Sequence, residues 1–70
     1  MADYQLNLQD GAGRTCLLPI SSDSISDLAE YFGLTADAAQ ERVENNALQN
    51  AIARNEIGAD AVLITRVLGD

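Results

Sequence analysis

Residues able to do chemistry are few in this 70-residue chain, and their types limit what that chemistry can be. There is no His and no Lys, and Cys16 is the only cysteine. The usual general bases near neutrality are therefore absent. A structural zinc site would need about four His or Cys ligands, and no disulfide can close within the chain. Cys16 stands in the apolar run "TCLLPI", where a small core side chain is expected rather than a nucleophile. What remains is carboxylate: Asp23, Asp27 and Glu30 in one segment, Asp37, Glu41 and Glu44 in the next. Pairs such as Asp23/Asp27 and Glu41/Glu44 have helical spacing and read as solvated acidic faces. No catalytic, cofactor-binding or metal-ligating residue is assigned, and no enzymatic activity is expected.

Three short motifs carry other readings. The "DSI" of Asp23 to Ile25 resembles the Asp-Ser-Leu at which carrier proteins take a phosphopantetheine arm. That resemblance implies an exposed Ser24 at a helix N-terminus, where the helix dipole meets a phosphate. Carrier domains are helical bundles, whereas two strand-like segments precede Ser24 here. Ser24 with Asp27 also fits the capping pattern [ST]-x-x-[DE]. "DLAEYFGLTADAAQERV" resembles the first helix, glycine turn and reading helix of helix-turn-helix DNA-binding domains. Its reading helix would carry Asp37, Glu41 and Glu44 against Arg42 alone. Such a helix is mismatched to a phosphate backbone. "DGAGR" holds a Gly-x-Gly, but a strand follows where a phosphate loop needs a helix, so a hairpin turn is expected.

Charge separates the remaining classes. Eleven acids face four bases, all Arg (Arg14, Arg42, Arg54 and Arg66), for a net charge of −7. Such a chain repels nucleic acid and anionic lipid and is attracted to basic protein surfaces. Arg without Lys, beside much Ala, suggests a GC-rich bacterial or phage coding sequence. "MADYQ" lacks the basic and apolar parts of a signal peptide, and no apolar run approaches the length of a membrane span. With a lone Cys, a reducing cytoplasm is expected.

The elements follow from periodicity. "YQLNLQ" alternates apolar and polar, as a half-buried strand does. An Asp-Gly turn leads to a second strand, with Pro19 fitting an edge or a strand end. Ile25, Leu28, Ala29 and Phe32 form one helical stripe, stopped by Gly33. Thr35 then caps a second helical segment running from Ala36 to Ile57. There, Leu48 and Ile52 are rotated roughly 140–180° from Val43. Either one kinked helix or two short helices broken near Asn45–Asn46 are expected, the break being favoured by cap chemistry, with Gly58 as the final stop. "ADAVLITRVL" reads as a last strand. Ala61, Leu63, Thr65 and Val67 would lie on one face, and Val62, Ile64, Arg66 and Leu68 on the other.

The expected fold is α+β, a small two-layer β-β-α-(α)-α-β single domain. It has an antiparallel N-terminal hairpin, a C-terminal strand joining its sheet, and helices packed on one face. A strand apolar on both sides needs cover on both, and a domain this small buries only about 60% of its unfolded surface. Val62, Ile64 and Leu68 are therefore expected at a partner or dimer interface. The expected function is a small acidic protein-binding module whose partner is a protein with a basic surface. A narrower version is a phage-type inhibitor covering a nucleic-acid-binding groove, as small acidic anti-CRISPR proteins do. The alternative is a homodimeric structural or accessory subunit assembled through the C-terminal strand.

Overall fold

The computed structural model describes residues 3–68. Its elements run β1 (Tyr4–Gln9), β2 (Thr15–Ile20), α1 (Ser22–Phe32), α2 (Ala36–Ala53) and β3 (Val62–Leu68). The sheet order is β2-β1-β3, antiparallel throughout, so the first strand is central and the last is an edge. This is the expected α+β domain. β2 is the other edge, and Pro19, which has no N–H to donate, is accommodated there. Tyr4, Leu6 and Leu8 alternate inward from β1, as their spacing predicts, and join Leu18, Ile20, Ala51 and Ile57 in the core. Cys16 is half-buried against this core and is a free thiol.

The helices correct the sequence reading at three points. Ser21, not Ser24, caps α1: its side chain accepts from the Asp23 N–H at 3.2 Å, and Ser24 is an exposed residue inside the helix. The chain reaches α1 one turn earlier because Asp3 accepts from the Ser22 N–H at 3.1 Å. Phe32, the last residue of the apolar stripe of α1, is half exposed rather than buried; Tyr31 meets it edge-on at 4.8 Å between centroids. Gly33, in the left-handed region at φ 67°, does stop α1, and Thr35 caps α2 by accepting from the Ala38 N–H at 3.2 Å.

The third correction concerns α2, a single helix through Asn45–Asn46. The supposed jump of its stripe between Val43 and Leu48 overlooked alanine. Ala39, Val43, Ala47 and Ala51 form a continuous i, i+4 row, with Ala39 and Ala51 fully buried. Both asparagines are exposed, so neither side chain is needed as a cap. The helix ends at Ala53 rather than at Gly58. Asn55 takes the left-handed conformation (φ 60°), and the Glu56 N–H closes on the Ala51 carbonyl at 2.9 Å. Asn is the residue after Gly best suited to that position.

Gly58 has a different duty, set by Asp10. The Asp10 side chain is fully buried at the end of β1. Its Oδ1 accepts from the N–H groups of Ala12 and Arg14, at 3.0 and 2.9 Å. Its Oδ2 accepts from the Gly58 N–H and from Arg14 Nε, both at 2.9 Å. A Cβ on Gly58 would lie 2.9 Å from that Oδ2. In parallel, Asp60 accepts from the Gly11 N–H at 2.9 Å. Two carboxylates thus fasten the β1–β2 loop to the connection that delivers β3. Burial alone would raise the Asp10 pKa. The N–H groups of Gly58 and Arg14 and the Arg14 guanidinium outweigh it, holding the carboxyl below its ordinary value.

Candidate functional site

Two surfaces stand out: an acidic stripe along the helices and an uncovered β3. The acidic surface is defined by where the arginines go. Arg14 pairs with Asp10 at 2.9 Å, Arg54 with Glu56 at 3.2 Å and Arg66 with Glu44 at 2.9 Å. Arg42 lies over the Phe32 ring, 4.9 Å from its centroid. Each arginine is thus engaged within the chain. Asp23, Asp27, Glu30, Asp37 and Glu41 are all exposed and, among the described residues, have no ion-pair partner.

The acids are also in line. Asp23, Asp27 and Glu30 follow i, i+4, i+7 and fall within about 60° of one another on α1. Ile25, Leu28, Ala29 and Phe32 lie on the other side of that helix. Asp37, Glu41 and Glu44 repeat the spacing on α2, but the third member is withdrawn, a correction to its place among the outward acids. Glu44 is 11% exposed and forms a fork with Arg66 (Nε–Oε2 3.0 Å, Nη2–Oε1 2.9 Å). Its Oε2 also accepts from the Tyr4 hydroxyl at 2.6 Å and Gln40 Nε2 at 3.2 Å. The Arg66 fork lowers the Glu44 pKa to about 2, against opposing burial and with help from Tyr4 and Gln40. Burial, then the hydrogen bond and charge of Glu44, push the Tyr4 phenol up to about 12. Asp37, Gln40, Glu41, Glu44 and Arg66 line an open groove beside this cluster. Nothing in the sequence marked Glu44 as different, because Tyr4 and Arg66 are 40 and 22 positions away.

β3 is exposed at all seven of its residues. Pairing with β1 shows why. Gln9, Asn7 and Gln5 stand opposite Val62, Thr65 and Val67, while Leu8, Leu6 and Tyr4 stand opposite Leu63, Arg66 and Leu68. A bulge between these two stretches makes Ile64 the extra residue. Val62 is thereby moved to the open face and Leu63 to the helix face, so the expected alternation along the strand is broken. Val62, Ile64 and Leu68 are exposed, as an interface requires, but they do not share one face. The helices do not cover β3 from their own side either. α2 packs against β2, and the Glu44–Arg66 pair reaches across to β3. Ile64 is 51% and Leu68 79% exposed.

Among the described residues no cluster of three or more His, Cys, Asp or Glu is placed to hold a metal, and no helix is long and apolar enough to cross a membrane. No family model, curated protein or solved structure matches the chain, so the two surfaces carry the functional reading alone.

Proposed function

We propose that this chain is a small acidic, non-enzymatic protein-binding module that occupies a basic surface on another protein. The observation that supports this reading is the disposition of the arginines. Three are ion-paired and Arg42 lies over Phe32, so the Asp23–Asp27–Glu30 stripe and the neighbouring Asp37 and Glu41 have no ion-pair partner among the described residues. Charge left facing solvent attracts an oppositely charged partner and orients its approach. On α1 three carboxylates fall along roughly 10 Å of helix, about one per 5 Å. The spacing along one strand of B-DNA is about 3.4 Å per phosphate. The stripe is sparser than a phosphate strand and can meet only some of the basic side chains arranged to hold one, so the narrower reading of an inhibitor that covers such a groove is supported by the sign of the charge and not by its spacing. The α2 groove offers Asp37 and Glu41 to one more basic side chain.

The test is capture of binding proteins from host extract by the wild type and by the triple variant Asp23→Asn, Asp27→Asn, Glu30→Gln. All three side chains are exposed, so the variant should fold with unchanged stability within about 0.5 kcal/mol. It is expected to bind the captured basic protein roughly 10–100-fold more weakly, from about 0.5–1 kcal/mol per lost charge pair. Equal retention by both proteins would remove the stripe from the binding surface.

A further inference from the structure

We infer that the uncovered edge of β3 is the seat of a second copy of this chain. The two copies would pair β3 with β3 antiparallel, giving a six-stranded sheet of order β2-β1-β3-β3-β1-β2. β3 bonds to β1 on one side only, leaving its outer backbone groups unpaired within the described chain. The usual protections of an edge are proline, lysine and an inward-pointing charge. β2, the other edge, carries Pro19; β3 carries no proline or lysine, and its one inward-facing charge, Arg66, is neutralised by Glu44, which leaves the bulge at Ile64 as its remaining protection.

Charge identifies the occupant. The seven residues of β3 include no acid, and their one base, Arg66, is neutralised by Glu44 of the same chain. A basic partner finds nothing to attract it there. A second copy, repelled elsewhere by a net charge of −7, meets the least repulsion on this strand. The two-fold geometry is compatible as well. In antiparallel self-pairing the axis stands perpendicular to the sheet and passes midway between the two copies of one residue. Centred on Thr65 it sets Arg66 opposite Ile64 of the second copy, and centred on Val67 it sets Arg66 opposite Leu68. Neither register opposes Arg66 to itself. Both leave the α1 stripes outside the junction, so a dimer would present two of them.

Sedimentation equilibrium of the purified chain tests this directly. The expected mass is twice that of the chain, with the dimer strengthening as salt is added, because screening relieves the repulsion between two like-charged copies. Ile64→Asp brings two carboxylates to the junction and should weaken the dimer roughly 100-fold. Leu68→Lys, at the strand end, should weaken it while leaving the fold intact. Leu17→Asp, on the open face of β2, should leave it unchanged. Hydrogen exchange needs no variant: β3 amides not bonded to β1 should be protected, and the protection should fade on dilution. A monomer at high concentration, or free exchange of those amides, overturns the inference. So does a dimer broken by Leu17→Asp and indifferent to Ile64→Asp. That result would place the copies face to face over Asn7, whose side-chain carbonyl is buried without a hydrogen-bond partner.

Discussion

Asp10→Ala is expected to lower the melting temperature by roughly 12–24 °C, the equivalent of about 3 kcal/mol in a domain this small. The side chain is buried, and its two oxygens accept four hydrogen bonds, three of them from backbone N–H groups. Alanine removes every acceptor at once, and each buried N–H left unpaired costs about 1–3 kcal/mol, less where water can enter. Domains of this size are stable by only about 4–10 kcal/mol in total. Asp10→Asn is the sharper variant. Its carbonyl can still serve Ala12 and Arg14, but its amide group would put a donor where the Gly58 N–H and Arg14 Nε also donate. It should therefore fall nearer to alanine than to wild type. A loss below about 3 °C for both variants would show that the two loops hold together without this carboxylate.

The second large effect lies in the Tyr4–Glu44–Arg66 cluster, and it depends on pH. Glu44 ionises near 2 in the fold against an ordinary value of 4.5, so the folded state prefers the carboxylate. Its contribution is complete above about pH 4.5 and is lost as pH falls toward 2. After allowance for partial solvent contact it amounts to about 2 kcal/mol. Tyr4 works in the opposite direction. With the phenol raised from 10.0 to about 12, its contribution is complete below pH 10.0 and is lost as pH rises toward 12. Glu44→Gln should cost roughly 8–16 °C in melting temperature near neutral pH and flatten the fall in stability between pH 5 and 2. Melting curves of wild type and variant across that range are the check. If they keep a constant separation down to pH 2, Glu44 is not the titrating group.

The parts of the fold visible in the sequence are those fixed by local periodicity. Tyr4, Leu6 and Leu8 announce a strand with one buried face, and Gly33 and Thr35 announce a stop and a restart. The misreadings come from weak local signals overruled by packing. Asn45–Asn46 looked like a break because Ala47 and Ala51 carry little hydropathy, yet alanine is small enough to let α2 lie close on the sheet. Ser24 looked like a cap because the bond from Asp3 to Ser22, which starts α1 earlier, joins residues 19 apart. The bulge at Ile64 has no signature of its own, and it alone rearranges the faces of β3. The acids of the candidate site were legible as residues but not as a set. Separating Glu44 from the other five required knowing that β3 lies beside β1, which brings Arg66 under α2.

The chain presents two surfaces of different chemistry: carboxylates on the helices that have no ion-pair partner among the described residues, and an apolar strand without acids at the sheet edge. They should respond to salt in opposite directions, one weakening as charge is screened and the other strengthening. The most direct test of the proposed function is the affinity of the captured partner, measured by calorimetry between 0.05 and 0.5 M salt, a range over which the screening length falls from roughly 14 to 4 Å. The expected result is an affinity that drops at least about tenfold for the wild type and distinctly less for the Asp23→Asn, Asp27→Asn, Glu30→Gln variant, which keeps Asp37 and Glu41. An affinity that is flat or rises with salt in the wild type would contradict binding through the acidic stripe.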